Sequence, residues 1–249
     1  MDSVAQSESA DLIGKHNANL PASISRIIEG GTWKKQRVVT IIPSGPLIPA
    51  KVALSHWNVI FPPNQAAFRL LALGLEVGDA YSRAIGEVLA HPELSTWEFV
   101  LTIEADNMPP PDGLVKLIKR MEERPDLACI GGLYWTKGEG GVPQIWGDIA
   151  DPVVNFRPQA PVPGKVVECY GTGMGFNLWR MSMFRELAAK KVPQPWFKTQ
   201  AGQEGVGTQD LYFWTNVARP NGYRCGIDCD VLVGHHDHEG RAGPAGVTW

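Results

Sequence analysis

The sequence predicts an α/β fold: a single domain with a mostly parallel central sheet flanked by helices. Short apolar runs alternate with amphipathic segments along the chain, which is the pattern of repeated strand–helix units. The length of 249 residues suits one such domain, because chains of about 200–250 residues often fold as a single α/β unit. The composition, with 44% hydrophobic and 20% charged residues, is that of an ordinary globular protein.

The N-terminal half contains the clearest strand signals. A β-branched run at residues 38–42 ends at the loop sequence PSGP and predicts a buried strand. Residues 50–61 fit a helix, and residues 67–73 (AFRLLAL) fit a strand or, nearly as well, a helix. Asp79 is a suitable N-cap for an amphipathic helix that ends before the next proline.

The remaining elements follow in the same alternation. The patterns predict a strand at 99–103, a helix at 112–123, a strand at 129–133, a long Gly/Pro-rich excursion at 137–165, a strand at 166–170, a turn at 171–173, helices at 181–190 and 210–219, and a last strand at 229–233. Residues 1–36 are predicted to be a peripheral or mobile lead-in, residues 37–238 the catalytic domain, and residues 239–249 a flexible Gly-rich tail.

Charge and hydropathy restrict the function classes. The net charge of −3 and pI of about 6.1 lack the broad basic footprint of an obligate nucleic-acid binder. The sequence has neither an apolar stretch of the ~20 residues that span a bilayer nor a secretory signal, so we expect a cytoplasmic protein without a transmembrane segment. The four cysteines lack CxxC spacing and are expected to be reduced thiols. The sequence leaves the formation of homo-oligomers open.

An acidic pair follows the strand predicted at 99–103. Glu104 and Asp106 flank Ala105 at the tip of this rigid element, where carboxylates can project into a crevice at the carboxyl end of a parallel sheet. Carboxylate oxygens are the ligands that Mg²⁺ and Mn²⁺ prefer, with waters and substrate phosphates in the other positions. Alone, the pair could equally be a solvated acidic turn.

The order of several motifs is more specific than this pair. The segments concerned are IIPSG, FVLTIEADNMPPPDGLVKLI, GTGMGFNLWRMSMF, GTQDLYF and DVLVGHHDH. Together, over roughly residues 37–238, they resemble the glycosyltransferase-A (Rossmann-like) fold, especially inverting enzymes similar to family two. The acidic pair matches the DxD motif of that family, GTQDLYF its ED motif, and DVLVGHHDH its late metal-binding histidine.

The resemblance implies a metal site. Asp106 matches the last acid of the DxD motif and is expected to coordinate Mn²⁺ or Mg²⁺ directly. Glu104 replaces the first acid and is expected to bind metal, ribose or water. His235 aligns with the late histidine and would complete the metal shell, with His236 and His238 as competitors for that role.

The resemblance also implies a catalytic base. Asp210 corresponds to the second acid of the ED motif, which in inverting members takes the proton of the acceptor hydroxyl. Gln209 stands where the family has Glu and is expected to contact the acceptor or sugar. A second interpretation makes Asp210 the N-cap of the helix that follows.

The other candidate residues are small or aromatic. Pro43, Ser44 and Gly45 form a tight loop that lets the backbone approach the nucleotide, and Asp79 and Ala105 complete the predicted donor-binding set. The candidates for contact with the sugar or acceptor are Gly171, Gly173, Trp135 and Trp146. Either glycine could instead be only a turn residue, and most of the nine tryptophans are expected in the core.

Taken together, these features predict a metal-dependent hexosyl- or pentosyltransferase. The donor would be a nucleotide diphosphate sugar, with UDP preferred by analogy, and inversion is expected, although the sequence does not separate it from retention. The acceptor stays open among glycans, lipid-linked intermediates, proteins and modified nucleic acids. One alternative is a sugar-phosphate nucleotidyltransferase, but the first loop has only Lys51, some distance on, to grip a triphosphate. The other is a noncatalytic sugar- or nucleotide-binding protein of the same fold.

Overall fold

The computed structural model describes residues 37–63, 67–138, 140–202, 205–237 and 247–249. The predicted lead-in, residues 239–246 of the predicted tail and His238 lie outside these residues. The strands are β1 Val38–Ser44, β2 Ala67–Leu73, β3 Phe99–Ile103, β4 Asn107–Met108, β5 Cys129–Leu133, β6 Ile145–Asp148, β7 Val166–Thr172, β8 Phe176–Arg180, β9 Gln200–Gly202, β10 Gly205–Gly207, β11 Cys225–Leu232, β12 Gly234–His236 and β13 Val247–Thr248.

Five α-helices accompany these strands in the described part of the chain: α1 Ala50–Asn58, α2 Val77–Ala90, α3 Gly113–Glu123, α4 Met181–Ala189 and α5 Gln209–Phe213. A π-helical turn, Trp214–Ala218, continues α5, and short 3₁₀ turns cover Leu94–Thr96 and Arg219–Asn221. Among these helices, none has both the length and the apolar character needed to cross a bilayer.

Within the described ranges, the central sheet has eight strands in the order β2-β1-β3-β8-β5-β11-β7-β6. Only β7 and β8 run against the other six, so the sheet is mostly parallel, as predicted. Two small sheets flank it: β9 pairs with β10, and β12 lies between β13 and β4. Residues 247–249, which the sequence assigns to the tail, thus contribute a strand.

The core lies on both faces of the sheet. Successive residues of a strand point to opposite faces, so the apolar runs of β1 and β3 supply two layers. Val39 and Val100 pack in one layer with α2 and α4, whereas Val38 and Leu101 pack in the other with α3. A run that is apolar at every position therefore indicated a strand covered on both sides.

The strand order places a crevice at the end of β1. The chain passes from β1 to β2 on one side and then returns to β3 on the other, and both neighbours run parallel to β1. In open α/β sheets such a reversal leaves a crevice beyond the carboxyl ends of the strands, where ligands bind. The loops after β1 and β3 flank this crevice.

Most predicted elements are confirmed, and the ambiguous segment at residues 67–73 is resolved as strand β2. It pairs with β1 over seven residues, and this pairing decides between the helix and strand patterns. The helix at 112–123 is confirmed as α3, with Leu114, Leu117, Ile118 and Met121 buried as expected.

Some assignments were wrong or missing. Strand β8, which lies antiparallel between β3 and β5, was not predicted. Its sequence FNLWR comes directly after a Gly-rich segment, and no turn residues separate it from the next helix. Gly171 and Thr172 are the last residues of β7 rather than part of a turn. The N-cap of α2 is Glu76 and not Asp79.

Candidate active site

The crevice at the end of β1 is a cleft of about 340 Å³. Because β1 and β3 are parallel neighbours, the loops that follow them meet at the same edge of the sheet. The structure brings together seven of the candidate residues in the lining of this cleft: Pro43, Ser44, Gly45, Glu104, Ala105, Asp106 and Gln209.

The lining also includes an apolar side that the sequence analysis missed. Leu47, Leu75 and Val77 line the cleft next to the loop after β1. Leu47 and Leu75 are both exposed, at 85% and 38%. Leu75 and Val77 follow β2, so the general rule that ligands bind beyond the ends of parallel strands is the signal that could have found them. Asp79 is exposed in the first turn of α2, close in sequence to Val77.

Backbone pairing joins the acidic turn to the late histidine. Strand β4 pairs antiparallel with β12, and in this register Asn107 lies opposite His235. The backbone N–H of His236 donates a hydrogen bond of 2.7 Å to the carbonyl oxygen of Asp106. Two segments that are far apart in sequence are therefore held together by main-chain hydrogen bonds. As a result, His235 Nε2 lies 3.6 Å from Asp106 Oδ2.

Helix α1 supports the same turn from the other side. His56 Nε2 donates a hydrogen bond of 2.8 Å to the carbonyl oxygen of Asn107, and Ser55 Oγ donates one of 2.8 Å to Pro109. Burial lowers the pKa of His56, which favours the neutral ring. These contacts fix the backbone on either side of Met108 and hence the position of Asp106.

The ring of His235 is oriented by its second nitrogen. Nδ1 lies 2.7 Å from the carbonyl oxygen of Trp135, and a carbonyl can only accept, so Nδ1 carries the proton. Nε2 therefore faces Asp106, where it presents a lone pair in the neutral ring and donates an N–H to the carboxylate in the protonated ring. The ring also packs edge-on against Tyr134, with 5.5 Å between centroids. A histidine held through a backbone carbonyl in this way is typical of metal ligands.

Lys137 is a further residue of the site that the sequence analysis did not identify. Its Nζ lies 2.6 Å from Asp106 Oδ2, the same oxygen that faces His235. Burial alone would raise the pKa of Asp106, but the interactions with His235 and Lys137 outweigh it and hold the pKa well below the usual range. A lone lysine at the start of a Gly-rich excursion carries no sequence signal for this role.

The pKa of Glu104 is shifted in the opposite direction to that of Asp106. Burial, followed by the negative charges of Asp106 and Asp210, raises the pKa of Glu104 well above its ordinary value, and Lys137 opposes the shift. Its Oε1 accepts a hydrogen bond of 3.3 Å from Gln209 Nε2. The cleft therefore holds two carboxyl groups of different character, one ionised and one that retains its proton more readily.

Asp210 lies in the first turn of α5 and is only 8% exposed. The N-cap is Thr208, so the interpretation of Asp210 as N-cap is wrong. Burial raises the pKa of Asp210 despite hydrogen bonds with Thr208 and with the backbone N–H of Leu211, the latter of 2.8 Å. A buried carboxylate with a raised pKa beside a cleft is suited to accept a proton.

The side chains present fit a hard divalent cation only in part. Among the residues that the structure describes, no group of three or more His, Cys, Asp or Glu side chains has the arrangement of a metal centre. Asp106 and the oriented His235 form a pair of ligands, and Mg²⁺ and Mn²⁺ commonly use one or two protein ligands with waters and substrate phosphates. The pair therefore fits a cation shared with a bound diphosphate.

The residues that line the cleft do not include Asp79, Asp210 or His235, nor the sugar or acceptor candidates other than Gln209. Trp146 pairs with Gly171 between β6 and β7, and its Nε1 donates a hydrogen bond of 2.8 Å to Gln144. Gly173 packs against Tyr134 and Gln144, so closely that a side chain there would clash. Trp135 is partly buried against the core, and its carbonyl holds His235.

Comparisons with known proteins agree with this architecture. No family model and no curated protein matches the chain. Among solved structures, the chain is similar to A197 from STIV, with 16% identity, a TM-score of 0.55, and coverage of 80% of this chain and 85% of that one. At this identity the likeness shows the fold alone: an α/β domain with a large, mostly parallel central sheet flanked by helices.

Proposed function

We propose that this protein is a metal-dependent glycosyltransferase that moves a sugar from a nucleotide diphosphate donor, in the first instance a UDP-sugar, to an acceptor hydroxyl with inversion. The observation that carries the proposal is that His235 Nε2 lies 3.6 Å from Oδ2 of Asp106, which lines a cleft at the carboxyl edge of a mostly parallel sheet. The two residues come from distant segments, and the cleft beside them is open to a ligand.

The cleft offers a different environment at each end of such a donor. Leu47, Leu75 and Val77 provide apolar surface for a nucleoside, and the small residues of the loop after β1 allow close backbone approach. Asp106 and His235 would hold a divalent cation at the other end. When bound, the cation neutralises the charge that develops on the departing diphosphate.

Proton transfer is assigned to Asp210. Its carboxylate would accept the proton of the acceptor hydroxyl as that oxygen bonds to the anomeric carbon, and the bond to the diphosphate breaks on the opposite face. Burial raises its pKa, which makes it a stronger base than an exposed aspartate. Gln209, which donates to Glu104 at 3.3 Å, would position the sugar or acceptor next to this base.

The test separates binding from transfer. Purified protein is incubated with Mn²⁺ and UDP-, GDP- or dTDP-sugars, with water as the minimal acceptor, and release of nucleotide diphosphate is measured. We expect Asp210→Asn to lower turnover by about 10²–10⁴-fold, the usual contribution of a general base, with donor affinity unchanged. Asp106→Asn should weaken donor binding that depends on metal. Asp112→Asn, an exposed aspartate paired with Lys116, is the matched control.

Three results would contradict the proposal. Full turnover in Asp210→Asn would remove the assigned base. Donor binding without any turnover would favour a noncatalytic binding protein. Release of pyrophosphate from a nucleoside triphosphate and a sugar phosphate would identify a nucleotidyltransferase instead.

A further inference from the structure

The side chains of Lys137 and His235 both approach the same carboxylate oxygen of Asp106. Asp106 Oδ2 is 2.6 Å from Lys137 Nζ and 3.6 Å from His235 Nε2. A cation that takes this carboxylate oxygen as a ligand must therefore compete with the ammonium group of Lys137. The metal-binding residues of the proposed function, on which this inference rests, thus already have a positively charged partner.

The surrounding charges explain why a lysine is placed there. Glu104, Asp106 and Asp210 interact electrostatically, and Lys137 counteracts the resulting shift at Glu104. Bringing several carboxylates together without a counter-charge is costly, because unit charges a few ångströms apart interact strongly at low effective dielectric. Lys137 supplies this counter-charge from within the chain.

The side chain of Lys137 is also able to move away from Asp106. Its side chain is 26% exposed, so a route to solvent is open, and the flexible stem lets the ammonium group move without a change in the backbone. The backbone next to Lys137 is fixed by neighbouring contacts. The Thr136 N–H donates a hydrogen bond of 2.9 Å to the Val142 carbonyl oxygen, and the Val142 N–H donates one of 2.9 Å to Thr136 Oγ1. Trp135 also forms a β-bridge with Pro143. Movement of the side chain alone would therefore free Asp106.

We infer that Lys137 is an exchangeable internal counter-ion: it neutralises Asp106 before the divalent cation binds and is displaced by it. Metal affinity in the wild-type protein is then lower than Asp106 and His235 alone would provide, because binding requires breaking the Lys137–Asp106 ion pair. The lysine makes metal binding weak in the absence of donor, whose phosphates supply further ligands.

The experiment measures Mn²⁺ binding to the full-length protein without donor, from the free-Mn²⁺ signal in electron paramagnetic resonance. Lys137→Met and Lys137→Gln should bind Mn²⁺ about tenfold more tightly than the wild type, since one competing charge is removed. Lys137→Arg should bind as the wild type does. Lys119→Met, an exposed lysine on α3 with 76% side-chain exposure, is the matched control, and Asp106→Asn should abolish binding.

A second readout is the melting temperature without metal. Removal of Lys137 should lower it, because Asp106 loses its partner, and Mn²⁺ should restore it. Unchanged or weaker Mn²⁺ affinity in both Lys137 variants would overturn the counter-ion role but leave the proposed function standing. If no variant bound Mn²⁺ while Lys137→Met lost donor binding, the lysine itself would neutralise the diphosphate, and both the exchange and the metal dependence would be wrong.

Discussion

Single residues in the cleft differ in how tightly they hold a proton, although they are close neighbours. Glu104 and Asp106 are separated by one residue, yet the pKa of Glu104 is raised, chiefly by burial, while that of Asp106 is held low by His235 and Lys137 despite burial. The two residues therefore have opposite effects on stability as the pH changes.

Replacement of Glu104 by Gln should stabilise the protein at neutral pH. In the unfolded chain the pKa of Glu104 is about 4.3, and in the folded protein it is higher, so the folded state binds the proton more tightly. The stabilisation that results is fully present when the pH is below the pKa of the unfolded chain. It is lost as the pH rises through the pKa of the folded protein. Glu104→Gln keeps the uncharged form and an acceptor for Gln209.

The measurement is urea unfolding at several pH values between 5 and 8. We expect the free energy of unfolding of Glu104→Gln to increase relative to that of the wild type as the pH rises. At pH 8 this difference should exceed the roughly 0.5 kcal/mol that is typical of surface substitutions. The exposed Glu87→Gln should show a constant difference. A Glu104→Gln variant that is less stable at pH 8 than at pH 5, relative to wild type, would show that the charged form is the favoured one.

Among the elements, helix α2 begins at a side chain that the sequence pattern did not favour. Glu76 Oε2 accepts hydrogen bonds from the backbone N–H groups of Gly78 at 2.8 Å and Asp79 at 3.3 Å. Its other oxygen accepts from Thr199 Oγ1 at 2.7 Å, which ties the start of the helix to a distant loop. This long-range contact favours Glu at a position where short polar residues are usual.

Loss of the Glu76 cap should cost about 1 kcal/mol. Glu76→Ala removes the acceptor of two backbone N–H groups, and loss of an N-cap typically costs about 0.5–2 kcal/mol. Glu87→Ala makes the same change at an exposed site in the last turn of α2, where alanine favours the helix, and should be neutral or slightly stabilising. Chemical denaturation of both variants checks this. Equal effects in the two variants would contradict the assignment of the cap.

For the whole molecule, a ligand that binds the folded state raises the melting temperature. A donor at 100 times its dissociation constant adds about 2.7 kcal/mol. In a domain of 249 residues, each kcal/mol shifts the melting temperature by about 2–4 °C, so we expect a rise of about 5–10 °C. A panel of UDP-, GDP- and dTDP-sugars should give this rise for one nucleotide, and only with Mn²⁺.

The thermal-shift panel has its own control. Asp106→Asn should show no rise that depends on Mn²⁺, because the proposed metal ligand is missing. A rise of equal size with and without Mn²⁺ in the wild type would contradict a cation shared between the protein and the diphosphate.

Local sequence patterns were enough to predict the α/β class and most elements, because apolar runs and amphipathic periodicity are local consequences of burial on a strand or helix. They also placed Glu104 and Asp106 at the tip of β3, since an acidic turn after an apolar run is visible in sequence. The segment at residues 67–73 was ambiguous for the same reason: its local pattern fits two structures, and only pairing with β1 decides between them.

Which residues meet, in contrast, could be read only from the folded chain. The approach of His235 to Asp106 depends on the pairing of β4 with β12, and the ion pair of Lys137 with Asp106 joins segments with no shared motif. Strand β8 and the cap by Glu76 likewise depend on partners distant in the chain. Contacts between distant segments depend on the packing of the whole sheet, whereas a sequence pattern reports only the neighbourhood of each residue.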